Sequence, residues 1–150
     1  MTVEVLNETD FEIDISKVSS LASFAIARMK VHPQADLSII FVDEEAIAEL
    51  NKRWMDEVGP TDVLSFPMDE LRPGDSSDLV AESLLGDIVI CPQVAENQAS
   101  AANKPVQDEI NLLLVHGFLH LLGFDHAEAE EHKRMFDLQD QILADWGVTN

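Results

Sequence analysis

The chain has 150 residues, of which 46% are hydrophobic and 25% charged, and its formal net charge is −20. That length is one ordinary domain with enough chain to bury a real core, and no apolar run reaches the roughly 18 residues a membrane helix needs. The acid excess excludes broad attraction to nucleic acid or anionic membranes, so an anionic substrate would need a local positive site. The nine Lys and Arg residues are scattered, with Arg28/Lys30, Lys52/Arg53 and Lys133/Arg134 the nearest to clusters.

The chain opens on MTVEVLNETDFEID, which is acidic and has no basic stretch followed by an apolar one. It does not read as a secretory signal, and a cytoplasmic setting is the expectation. TVEVLNE predicts a short edge strand. Asp14 is a candidate N-cap for ISKVSSLASFAIARMKV, where Val18, Leu21, Phe24 or Ala25, and Met29 recur at helical spacing. His32-Pro33 stops that helix. ADLSIIFVD predicts a strand, and EEAIAELNKRWM a helix with Ile47, Leu50 and Trp54 on one face; Trp54 is expected in the core.

Gly59-Pro60 is a turn, and two strands follow, DVLSFP and LLGDIVI. Between them MDELRPGDSSDLVAES is acidic, rich in turn residues and read as an exposed loop. Cys91 is the single cysteine, has no internal disulfide partner and is expected in the core. QVAENQASAAN is helix-compatible. Pro105 suits the first turn of PVQDEINLLLVHGFLHLLG, and a last helix runs from about Ala127 to Trp146 with Met135, Leu138, Ile142 and Trp146 as its buried stripe. The pattern predicts a single α/β domain: one mixed, roughly four-stranded sheet packed with about five helices, a buried central helix among them.

That central helix carries the sharpest signal. Three of the five histidines fall within HGFLHLLGFDH, at His116, His120 and His126. His116 and His120 lie one helical turn apart and share a face. Their neighbours are apolar on nearly every side, which marks a buried helix, and buried imidazoles need partners. Gly123 can end the helix in a left-handed conformation and turn the chain back, bringing His126 round to the first two. Three neutral imidazoles with an open fourth position are the pattern of a catalytic zinc site. His32 and His132 are read as ordinary residues, His132 on a solvated helical face.

The spacing HxxxHxxGxxH is that of the metzincin proteases, with one departure. Those enzymes place the glutamate that activates water directly after the first histidine; here that residue is Gly117. Peptide hydrolysis thereby loses its base.

HGxLHLxGxDH, with TDVLSFP and LGDIVI before it, resembles the YbeY family of bacterial metal-dependent endoribonucleases and rRNA maturation factors, and VGPTDVLSFPMDE looks like its actinobacterial branch. The resemblance runs from Leu50-Asn51 to His126. It implies that His116, His120 and His126 ligate one zinc ion, and that Ser65 and the Asp87 strand wall the substrate cleft. It implies single-stranded rRNA as substrate, notably at the 3′ end of the small-subunit (16S) rRNA, a part in ribosome quality control, and the small ribosomal subunit with its proteins as partners. Many members carry an arginine six residues before the Thr of PT; counting back from Thr61, that position here is Met55. Arg53 would point elsewhere on a helix.

Zinc can polarise a phosphoryl oxygen or lower the pKa of a bound water. A metal so held would itself be the local positive site that the chain's charge demands. Asp125 fits either support of a histidine or, with Glu128, a capping box. Asp87 amid apolar strand residues fits a structural hydrogen bond or catalysis. Asp62 fits a turn, and Ser65 a substrate contact or a plain strand serine. Two other functions stay open: a zinc hydrolase of peptides or small substrates, and a non-catalytic ribosome-assembly factor with a structural metal.

Overall fold

The computed structural model describes residues 2–31, 35–67, 84–124 and 128–149. His32-Pro33, the acidic segment read as a loop, and Asp125, His126 and Ala127 lie outside the described residues. β1 (Thr2–Asn7) leads into α1 (Ile15–Arg28), β2 (Asp36–Phe41) and α2 (Glu44–Met55). Next come β3 (Val63–Pro67), β4 (Leu84–Ile90) and three helices, α3 (Pro92–Ala101), α4 (Val106–Leu121) and α5 (Ala129–Thr149).

Local chemistry sets these boundaries. The Asp14 carboxylate accepts the Lys17 backbone N–H at 3.1 Å and starts α1. Asp43 does the same for α2 through Ala46 at 2.8 Å, and Asp56, left-handed at φ 54°, ends it. Pro105 stands one residue before α4, as its N-cap, where a missing N–H costs nothing.

The sheet order is β1-β2-β4-β3. β1, β2 and β4 are parallel, and β3 pairs antiparallel with β4. Among the described residues the mixed four-stranded sheet and five helices match the architecture read from the sequence, and β1 is at an edge as expected. Alternate residues divide the core in two. Leu37, Ile39 and Phe41 of β2, with Ile88 and Ile90 of β4, pack under α1, α4 and α5. Val42, Leu64, Val89 and Cys91 pack on the other face, against Ile47 of α2.

Met135 and Ile142 of α5 are fully buried, and Leu138 and Trp146 pack against the same core. Trp54 departs from expectation. Ile47 and Asn51 on its face of α2 are buried, but Trp54 is 57% exposed. In the described sheet β3 is the strand at that edge, and its Phe66 ring meets the indole edge-on, at 6.3 Å between centroids. Among the described residues no helix is long and apolar enough to cross a membrane.

Candidate active site

α4 is the central helix predicted for the histidines. Leu113, Leu114, Val115, Phe118 and Leu119 are buried along it, while His116 and His120 are only half-buried and open to one side. The two Nε2 atoms stand 3.2 Å apart. Gly123, at φ +96°, follows α4 in the left-handed conformation that its sequence position predicts.

α5 sets the orientation of the first ring. His116 Nδ1–H donates to Gln139 Oε1 at 2.8 Å, and Gln139 is 2% exposed. A proton on Nδ1 leaves the Nε2 lone pair directed at His120. The Phe136 ring lies 5.5 Å from the His116 ring. Gln139 belongs to no motif. Its one signal in the sequence is a polar side chain on the apolar stripe of Met135, Leu138 and Ile142.

Could this pair hold a metal ion? In tetrahedral zinc, two nitrogens bonded at about 2.0–2.1 Å stand about 3.3 Å from each other. The observed 3.2 Å separation suits one shared cation or one shared proton. An acceptor that fixes the tautomer of a ligating histidine also supports such sites from outside. The two imidazoles present are donors that suit zinc. Among the described residues no third His, Cys, Asp or Glu joins the pair; His126, expected as the third ligand, lies outside them.

The pair opens into a cleft of about 580 Å³ that wraps around β3. Trp54, Met55, Val63, Ser65 and Pro67 line it with the two histidines. Met55, at the position where the resemblance implies arginine, thus faces the cleft, and Arg53 is not among its lining residues.

Ser65 lines the cleft and also holds it together. Its Oγ–H donates to the Gly117 carbonyl at 2.8 Å, tying β3 to the helix that carries the histidines. Gly117 is where helix and sheet come closest. A Cβ there would meet Ile88 Cγ2 at 3.0 Å, Ser65 Oγ at 3.1 Å and Val63 Cγ2 at 3.2 Å. At the position a metzincin gives to glutamate, a side chain would crowd these three atoms.

Asp62 starts β3 as a turn residue. Its Oδ1 accepts the Val63 N–H at 2.7 Å, and its Oδ2 accepts from Gln98 at 3.2 Å. Asn51 braces the preceding loop by donating to the Gly59 carbonyl at 3.0 Å.

Asp87 is not brought to the cleft. It pairs with Phe66 while Ser65 pairs with Ile88, so Ser65 and Asp87 leave opposite faces of the sheet. The strand's period of two is the reason. Burial raises the Asp87 pKa from 3.8, and the nearby charge of Glu4 adds to the rise. Cys91 is fully buried, with its thiol pKa raised chiefly by burial, as a core cysteine requires. His132 is exposed with its ring stacked on Phe136 at 4.5 Å.

The molecule is thus an α/β protein with paired imidazoles on its central helix, facing a cleft around a strand at the sheet's edge. A sequence model described as Endoribonuclease YbeY matches residues 4–147. The chain belongs to the YbeY family. It is 53% identical over 146 residues to "Endoribonuclease YbeY" of Nocardioides sp., covering 97% of this chain and 98% of that protein. The same name is carried by a Thermobifida fusca protein, 53% identical and covering 97% and 94%, and by one from Rhodococcus jostii, 54% identical and covering 97% and 82%. These are actinobacterial proteins, the branch that VGPTDVLSFPMDE resembles. The solution structure of TM1509 from Thermotoga maritima shares the fold, with a TM-score of 0.60 and 24% identity over 98% of this chain and 93% of that one.

Proposed function

We propose that this protein is a zinc-dependent, single-strand-specific endoribonuclease that works in the cytoplasm. Its role would be maturation of the small-subunit rRNA 3′ end and ribosome quality control. The observation that carries the reading is the pair of imidazole nitrogens 3.2 Å apart at the mouth of an open cleft, in a chain of this family. His116 and His120 would hold the ion, with His126 as third ligand by its place in the motif. When bound, the ion supplies Lewis acidity toward a phosphoryl oxygen. Gln139 keeps His116 in the ligating tautomer, and Ser65 fixes the distance between helix and cleft strand. Gly117 argues against a peptidase, since the glutamate base is missing and a side chain there would crowd Ile88, Ser65 and Val63.

A chain of charge −20 gains nothing from long-range steering toward RNA. Delivery of the substrate by proteins of the small ribosomal subunit answers that difficulty. The test is cleavage of a single-stranded small-subunit rRNA fragment by zinc-loaded protein, with His116→Ala purified identically. Cleavage lost on chelation and in the variant supports the proposal. Equal cleavage in both samples identifies a contaminant. If the folded, zinc-bound protein cuts neither this RNA nor small-subunit particles, the assembly-factor reading takes its place.

A further inference from the structure

The cleft has no described lysine or arginine in its lining. An RNA strand entering it therefore meets no protein cation for its phosphates among those residues. What the cleft does offer is an indole. Trp54 is 57% exposed, unusual for the side chain with the largest apolar surface, and it lines the same cleft as His116 and His120. Met55 beside it is 44% exposed and lines the cleft too, so these two side chains at the end of α2 form an apolar lip. The ring is held rather than loose: α2 ends directly behind it, and Phe66 of β3 props it edge-on with the planes at 72°.

We propose that Trp54 is the base-binding platform of the active site, stacking one unpaired base of the RNA strand whose phosphodiester reaches the histidine pair. The proposal rests on the ribonuclease reading and deepens it. A base has a flat apolar face of the right kind, and stacking is indifferent to the protein's net charge. It also requires a base free of its partner, so the same contact selects single strands over duplex, whose bases are already stacked.

The probe is a fluorescently labelled octamer of adenosine, with a hairpin duplex of equal length as comparison. Kd is read by anisotropy with His116→Ala as the parent, so that the RNA survives, and with Trp54→Ala and Trp54→Phe added to it. Trp54→Ala should weaken octamer binding about tenfold, equal to about 1.4 kcal/mol, with little change for the duplex. Trp54→Phe should restore most of the loss. In otherwise wild-type protein, zinc affinity should be the same with and without Trp54→Ala. The loss should persist at raised salt, where a charge contact would fade.

Equal octamer affinity in the parent and Trp54→Ala overturns the stacking proposal, while rRNA cleavage by the wild-type chain would leave the ribonuclease reading standing. Octamer binding that depends on Trp54, in a chain that cuts no RNA, supports the platform and removes the nuclease reading. Association of the protein with itself that Trp54→Ala abolishes, without an effect on octamer binding, assigns the lip to a second copy and overturns the proposal.

Discussion

Replacing Gly117 by alanine tests how closely α4 rides on the sheet. On helix propensity alone the change should stabilise the protein, by about 0.8–1 kcal/mol. The surroundings reverse the sign. The new methyl would meet Ile88 Cγ2 at 3.0 Å, Ser65 Oγ at 3.1 Å and Val63 Cγ2 at 3.2 Å, and Ile88 is wholly buried. Overpacking of this kind costs about 1–3 kcal/mol. Pushing the helix away also stretches the 2.8 Å bond from Ser65 to the Gly117 carbonyl, a contact contributing about 1 kcal/mol. The balance is a loss of about 1–2 kcal/mol, or a fall in Tm of about 3–6 °C for a chain of this size. Differential scanning calorimetry on the metal-free proteins measures it. A companion Ser65→Ala removes one clashing atom, so the double variant should lose less than the sum of the single losses. A Gly117→Ala protein melting at or above the parent temperature would refute the close approach, and with it the steric account of the missing glutamate.

Gln139→Leu takes away the acceptor on His116 Nδ1 and should lower zinc affinity about ten- to a hundredfold in chelator competition, while Gln139→Glu keeps an acceptor and most of the affinity; an unchanged affinity in the leucine variant would show that the amide does not orient the ring. Asp87→Asn should stabilise the fold in a pH-dependent way. Burial, then Glu4, holds the native pKa of Asp87 above 3.8, so the native state binds the proton more tightly and loses stability as pH rises from 3.8 through the native value. The Tm advantage of the asparagine variant should be greatest at neutral pH and shrink on acidification toward 3.8, and an advantage flat with pH would contradict that assignment.

Periodicity made the elements and the inward faces legible, because the residues that decide them are neighbours along the chain. Val18, Leu21 and Ala25 mark the buried stripe of α1, and the alternation in LSIIF marks both faces of β2. Trp54 shows the limit of that signal. Spacing puts it on the face of Ile47, but only the structure shows that this end of the stripe, beside the edge of the described sheet, stays exposed. Asp87 and Ser65 show a second limit. Each strand's alternation is local, yet their relative parity depends on the β3–β4 register, which no short motif encodes.

The histidine pair was readable because one helix carries it. Its support was not, since Gln139 lies 23 residues further on and reaches His116 only through the packing of α5 on α4. The absence of glutamate at position 117 was plain in the sequence; the reason, three atoms within 3.2 Å of a would-be methyl, needed coordinates.

The Gln139 contact also bears on synthesis. Both histidines of the pair emerge from the ribosome before the amide that aims the first of them. A chain broken off after α4 would possess the imidazoles without that orienting amide, and a nascent chain passes through the same stage. On the proposed zinc reading, competence for tight metal capture would arrive late, when the last helix docks. Truncations within α5 should therefore behave as metal-binding defects even though that helix contributes no imidazole to the pair.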